Sequence, residues 1–215
     1  MIVRSSQAAR RAFSLVELLV VIGIIVILAL LGIPTVSALS LRGERIRLMS
    51  AMRSVGLGIN LYAGEHSSVF PGPLWPGQVA EFSRIEEGRL IVRLAPYLGI
   101  SEGDSPYLVE RFLPPAFRRA LPAVAPEEIR VFVMNTAVPS ASGNINPWGS
   151  LTPAVQPPRN TSSIASASTW AMSEAYASHP AVAARPWKSF TTPAPLYGKS
   201  PLGLFFDGSV GFFQP

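Results

Sequence analysis

The stretch Arg10-Arg-Ala-Phe-Ser-Leu-Val-Glu-Leu-Leu-Val-Val-Ile22, continued by Gly-Ile-Ile-Val-Ile-Leu-Ala-Leu-Leu-Gly-Ile-Pro34, decides the reading of this chain. Between Leu18 and Ile33 no charged or strongly polar side chain interrupts it. As a helix rising about 1.5 Å per residue, the segment from Ser14 to Ile33 spans about 30 Å, the thickness of a bilayer's hydrocarbon core. A membrane helix is therefore expected at the N-terminus, with a separate part after it.

Three readings compete for that helix. A cleaved secretory signal fits the basic start, and Val36 and Ala38 suit a small-residue cleavage site, but the apolar stretch exceeds the usual h-region and carries Glu17 near its start. A plain anchor fits the length but gives no reason for Glu17, because an ionisable group in the apolar phase is costly unless paired, neutralised or able to reach water. The third reading is a leader followed by a helix that assembles with its neighbours.

The string from Arg10 to Ile22 resembles the type IV prepilin cleavage and methylation motif: a short basic leader, a small residue, Phe13, and Glu17 four positions later in a Leu/Val/Ile run. The resemblance implies that a prepilin peptidase cuts between Ala12 and Phe13 and methylates the new amino group of Phe13. Pro34 stands where the family commonly has a helix-kinking proline. Ala12 departs from the family's usual Gly before the cut. Phe13 and Glu17 share a helix face, so a freed ammonium and the Glu17 carboxylate can pair; in the family this pairing runs between subunits, which makes Glu17 an assembly residue.

Charge counting does not orient the segment, because Arg4, Arg10 and Arg11 on one side balance Arg42, Arg45 and Arg47 on the other. The prepilin resemblance assigns the leader to the cytoplasm and the rest to the periplasm.

Beyond Pro34, Leu41, Leu48, Met52, Val55, Ile59 and Tyr62 recur on one helical face. Arg42, Arg45 and Arg53 take the other and are expected to be exposed. One long helix from about Phe13 to about Ala63 is predicted. The division is a 1–12 leader, a 13–34 transmembrane helix, a 35–64 amphipathic helix and a 65–215 head. The fold class is α+β, a long helix packed on a small, mainly antiparallel β head, as in pilins. Strands are expected at Ile129 to Met134 and around Thr169 to Ala175. Ten prolines between Pro139 and Pro201 imply much loop.

The clearest β signal is Leu202-Gly-Leu-Phe-Phe, Asp207-Gly208, Ser-Val-Gly-Phe-Phe, read as a hairpin with a two-residue type I′ turn at Asp207 and Gly208. This ending, the helix exit Leu61-Tyr-Ala-Gly-Glu-His, and Leu94-Ala-Pro-Tyr-Leu-Gly resemble a prepilin-like group frequent in Planctomycetes and Verrucomicrobia.

Chemistry is sparse. The formal charge of +5 falls to +2 once the leader arginines are set aside, so no nucleic acid is expected. Absence of cysteine excludes disulfides and thiolate metal sites. His66 and His179 stand apart in polar, loop-like contexts and read as surface residues. A triad of Ser105, His179 and Asp207 rests only on the tripeptide Gly103-Asp104-Ser105, too weak to indicate an enzyme. Glu102, Asp104 and Glu110 are too few for a calcium cage. No metal or cofactor is expected.

The expected function is structural: a type II secretion pseudopilin working with prepilin peptidase, the inner membrane, other pilin-like subunits and the secretion assembly platform. Lack of a second proline between Thr35 and Gly64 favours it over the alternative of an extended or DNA-uptake pilus subunit. A membrane-tethered periplasmic binding protein is the reading from a different class.

Overall fold

The computed structural model describes residues 14–215, with the side chains of residues 29–38 excepted. The first helix, α1, runs Leu15–Glu65. Ser14 caps it: its Oγ accepts the Val16 N–H at 3.3 Å and its carbonyl the Leu18 N–H at 3.1 Å. The chain divides into two compact units, residues 1–40 and residues 41–215.

In the first unit, the described large apolar side chains from Leu15 to Leu28 are exposed all round the helix, at 43% for Val21 and 80% for Leu15. A helix apolar on every side finds no partner face of its own and needs an apolar medium or neighbouring helices. Among the described residues, no helix is long and apolar enough to cross a membrane. The described side chains of this run end at Leu28, about 20 Å from Leu15 along the axis, whereas the apolar sequence continues to Ile33.

In the second unit, the C-terminal part of α1 is one-sided. Leu48, Ala51, Met52, Val55, Ile59 and Ala63 are buried, whereas Ile46, Leu57 and Leu61 face outward. The remaining elements follow in chain order: β1 (Gly77–Val79), β2 (Glu81–Phe82), α2 (Leu90–Arg93), α3 (Ala95–Leu98), β3 (Tyr107–Leu108), α4 (Pro115–Ala120), β4 (Arg130–Met134), β5 (Val138–Ser140), β6 (Gly143–Ile145), β7 (Trp170–Glu174), β8 (Leu202–Phe205) and β9 (Val210–Phe212). Five strands form an antiparallel sheet in the order β1-β4-β7-β8-β9, and β2-β3 and β5-β6 are separate two-stranded ribbons. This is an α+β fold with an N-terminal helix and an antiparallel sheet, consistent with a pilin-like architecture.

The core lies between α1 and the sheet. Leu48, Met52, Val55 and Ile59 share one cluster with Phe132, Met134, Met172, Leu202 and Leu204. Successive residues of β4 point to opposite faces: Phe132 and Met134 join that cluster, whereas Val133 joins Ala175 and Val182 in a second one, against which Trp187 packs. The sheet is thus covered on both sides.

Gly56 fits this contact because it lacks a side chain. A Cβ there would lie 2.9 Å from Leu204 Cδ1 and 3.6 Å from Gly208 Cα. Gly56→Val is expected to lower stability by about 1–3 kcal/mol through overpacking. Gly64→Ala, with open space around it, should be neutral or stabilising by up to about 1 kcal/mol. Urea midpoints of the full chain in non-ionic micelles check both; an undiminished midpoint for the valine variant would show that the hairpin does not seat on α1.

Several expectations are corrected here. Leu41 is 43% exposed and lies outside the buried stripe, which begins instead with Glu44, a buried acid. Arg45 is half-buried, its guanidinium 5.7 Å from the centre of the Phe212 ring, whereas Arg42 and Arg53 are exposed. The β8–β9 connection is closed by the Phe205 N–H donating to Ser209 O at 2.9 Å, which leaves a three-residue loop, 206–208, rather than a two-residue type I′ turn. Gly208 N–H donates to Phe205 O at 2.9 Å and Gly208 has φ +84°, while Asp207 keeps negative φ. The cause is Phe206, which leaves the strand to pack on Phe70 and Trp148, with centroids 5.4 and 5.7 Å away. Asp207 then accepts the Ser209 N–H at 2.8 Å, and hydrogen bonding from the Ser209 side chain and backbone holds its carboxyl below the usual range.

Candidate functional site: the N-terminal segment and the buried acids of the head

The predicted cleavage and methylation positions, Ala12 and Phe13, lie outside the described residues. Glu17 sits in the first turn of α1, exposed, with no ion-pair partner among the described residues. Ser14 and Glu17 have the Ser-x-x-Glu spacing of a capping box, a signal that the sequence reading missed. An acid there also faces the positive end of the helix dipole. Position 34 falls within α1, and the side chain of Pro34 lies outside the described ones.

Residues 7–33 match the family model described as the prokaryotic N-terminal methylation motif. This supports a type IV pilin-like protein. It favours a structural rather than a catalytic role, with peptidase processing and assembly alongside other pilin subunits. No curated protein and no solved structure matches the chain.

The head contains ionisable groups that the sequence did not single out. Glu44 is 6% exposed; one carboxylate oxygen accepts the Ala116 N–H at 2.8 Å near the start of α4, and the other pairs with Arg119 at 2.7 Å. This acid ties α1 to α4. Glu174, at the end of β7, is fully buried and accepts the Leu196 N–H at 2.8 Å and the Leu202 N–H at 3.4 Å. No cation pairs with it among the described residues. Burial pushes its pKa up to about 7, against the two backbone hydrogen bonds that favour the charged form. Its role in the fold is to fasten the chain around Leu196 to the edge of β8.

The position of His179 also departs from expectation. It is fully buried, not at the surface: it contacts Trp170 and Tyr176, with centroids 5.4 and 5.2 Å away, and its Nδ1 accepts the Ala181 N–H at 3.0 Å. Its Nε2 has no partner, and burial lowers the pKa to about 4. His66, by contrast, is exposed and stacked on Tyr62.

These groups do not assemble a nucleophilic site. Asp207 is engaged by Ser209, and Asp104 by Arg84 at 3.3 Å. No hydrogen bond joins Ser105 or Asp207 to His179 among the described residues. The acids considered for calcium are each held by arginine: Glu102 by Arg84 at 3.1 Å and Glu110 by Arg118 at 2.7 Å. Among the described residues no group of three or more metal-ligating side chains converges.

Proposed function

We propose that this chain is a type II secretion pseudopilin. It is held in the inner membrane by the helix that follows Phe13, with its leader in the cytoplasm and its head in the periplasm, and is recruited into a short filament after processing. The observation that carries the proposal is the match at residues 7–33 to the N-terminal methylation motif, joined to an N-terminal helix whose described apolar side chains are exposed on every side. Such a surface is stable in lipid as a monomer and against neighbouring helices in a filament. Glu17 supplies the register: in an apolar bundle its carboxylate is best accommodated by the ammonium of a neighbouring Phe13.

Processing is the direct test. Co-expression with a prepilin peptidase should remove the 12 residues ahead of Phe13 and leave it as a methylated amino terminus. Intact-mass measurement reads both changes. An uncut chain, or cleavage after Ala38, would overturn the reading. Crosslinks from the cut chain to secretion-platform components, and to no extended surface fibre, would distinguish a pseudopilin from a pilus subunit.

A further inference from the structure

On the far side of the head's sheet from α1, three cavities of about 330, 410 and 700 Å³ adjoin one another. The first two share Trp75, Pro76 and Trp187, and the last two share Thr136 and Arg185. Each lies in or near the range of small-ligand sites, and their succession suits an extended chain better than one compact molecule.

The walls are held in place. A Cβ at Gly77 would lie 3.0 to 3.1 Å from three ring atoms of Trp187, so that indole rests flat on β1. Trp75 Nε1 donates to Glu87 O at 2.9 Å, and the residue remains 36% exposed. Both indoles are thus oriented before any ligand arrives, which lowers the ordering cost of binding.

The charges are one-sided. Arg130 lines the first cavity and Arg185 the other two. Arg130 reaches only Gly77 O, at 3.5 Å, and its buried Nε has no partner; Arg185 uses its Nε on Ala181 O at 3.3 Å. Neither pairs with a carboxylate among the described residues. Glu86, the acid lining the first cavity, is taken by Arg89 at 3.6 Å. Burial and nearby Arg89 disfavour the charged form of Arg130, and they outweigh Glu86 and Glu128, which favour it; a bound anion adds to the favourable side.

We propose that this cleft binds an acidic polysaccharide, a chain of sugar rings bearing carboxylates, with Trp187 and Trp75 stacked on ring faces and Arg130 and Arg185 holding carboxylates on either side of Trp187. A sugar ring presents an apolar C–H face that packs on an indole. Its edge hydroxyls suit the Thr136 hydroxyl in the middle cavity. A guanidinium is the side chain best matched to a carboxylate, through two parallel hydrogen bonds. Single-stranded nucleic acid also stacks on aromatic rings, but it requires a run of free cations along its backbone; here only Arg130 and Arg185 of the lining cations are without a carboxylate partner among the described residues, since Arg89 is paired with Glu81 and Glu86.

The test uses the full chain in non-ionic micelles, titrated with a galacturonate hexasaccharide, cellohexaose and a single-stranded oligothymidylate, and read by tryptophan fluorescence and calorimetry. Saturable binding of the uronate chain, tighter than either competitor, is expected. Trp187→Ala should weaken it about tenfold or more. Arg130→Gln and Arg185→Gln should each weaken uronate binding several-fold and leave cellohexaose unaffected. Gly77→Val, which displaces the Trp187 ring without removing it, should reproduce the tryptophan loss. Lys199→Gln, at an exposed cation outside the cleft, should change nothing. Absence of saturable uronate binding by the unmodified chain, an equal loss with Lys199→Gln, or tighter binding of the oligonucleotide would each overturn the proposal. Far-UV circular dichroism confirms that each variant is folded before it is scored.

Discussion

Valine in place of Glu17 is expected to abolish filament assembly while leaving the monomer in the membrane. Removing a carboxylate from an apolar segment makes insertion no harder and relieves several kcal/mol of desolvation. What is lost is the charge that an incoming subunit's Phe13 ammonium must meet at one height along the bundle. The local contribution of Glu17 to its own helix is small, about 0.3–1 kcal/mol from the dipole, so α1 survives the change. Glu17→Gln separates the two roles: glutamine keeps the Ser-x-x-Gln capping pattern but carries no charge, and it too should fail to assemble. Arg42→Ala and Arg53→Ala, at exposed positions of α1, should retain assembly, since exposed charges contribute under about 1 kcal/mol each. The measurement is crosslinking and filament shearing beside a membrane-fraction control. Wild-type assembly by either Glu17 variant would show that the acid only caps its helix or reaches water.

What the sequence made legible follows from how local each signal is. The all-apolar run before Pro34 and the one-sided stripe from Leu48 to Ile59 are helix periodicities contained in a few turns. β4 and β7 emerged because Arg130–Met134 and Trp170–Glu174 are runs buried on both faces of a covered sheet. The hairpin was legible from Asp207-Gly208, yet its loop type was not, because Phe206 is drawn out by Phe70 and Trp148 from distant segments. Strands β1, β2, β3, β5 and β6 are two or three residues long, too short to show a period. Glu44 and Glu174 carried no signal in the sequence for a related reason. Their partners are 72 and 75 residues away for Glu44 and 22 and 28 for Glu174, and those of Glu174 are backbone amides, which carry no sequence identity. His179 was misplaced because its neighbours in sequence, Ser178 and Pro180, suggest a loop, while its neighbours in space are Trp170 and Tyr176.

The two buried titrating groups of the head should impose opposite pH dependences that hide one another. Glu174 keeps its proton in the folded state up to about pH 7, whereas the unfolded carboxyl releases it near 4.5. Between those values the folded form binds more protons, so stability falls as pH rises through this window and levels off above it. The full effect is on the order of 3 kcal/mol. His179 has the reverse sign. Its folded pKa is lowered to about 4 from 6.5, so between those values the unfolded form binds more protons and stability rises with pH. In the unmodified chain the two slopes overlap and nearly cancel between about pH 4.5 and 6.5, leaving a flat profile from these groups. Glu174→Gln should unmask a rise in the urea midpoint with pH over that interval. Its amide oxygen can still accept one of the two N–H groups, so the constant loss does not alter the slope. His179→Asn, whose carbonyl can take over the Ala181 N–H, should unmask a fall. Neutral carboxyl and neutral imidazole are then the buried forms, which explains how both persist among apolar neighbours without an opposite charge. The comparison is made on the full chain in non-ionic micelles across that interval. If both variants keep the flat profile of the unmodified chain, neither group is titrating in the core as argued.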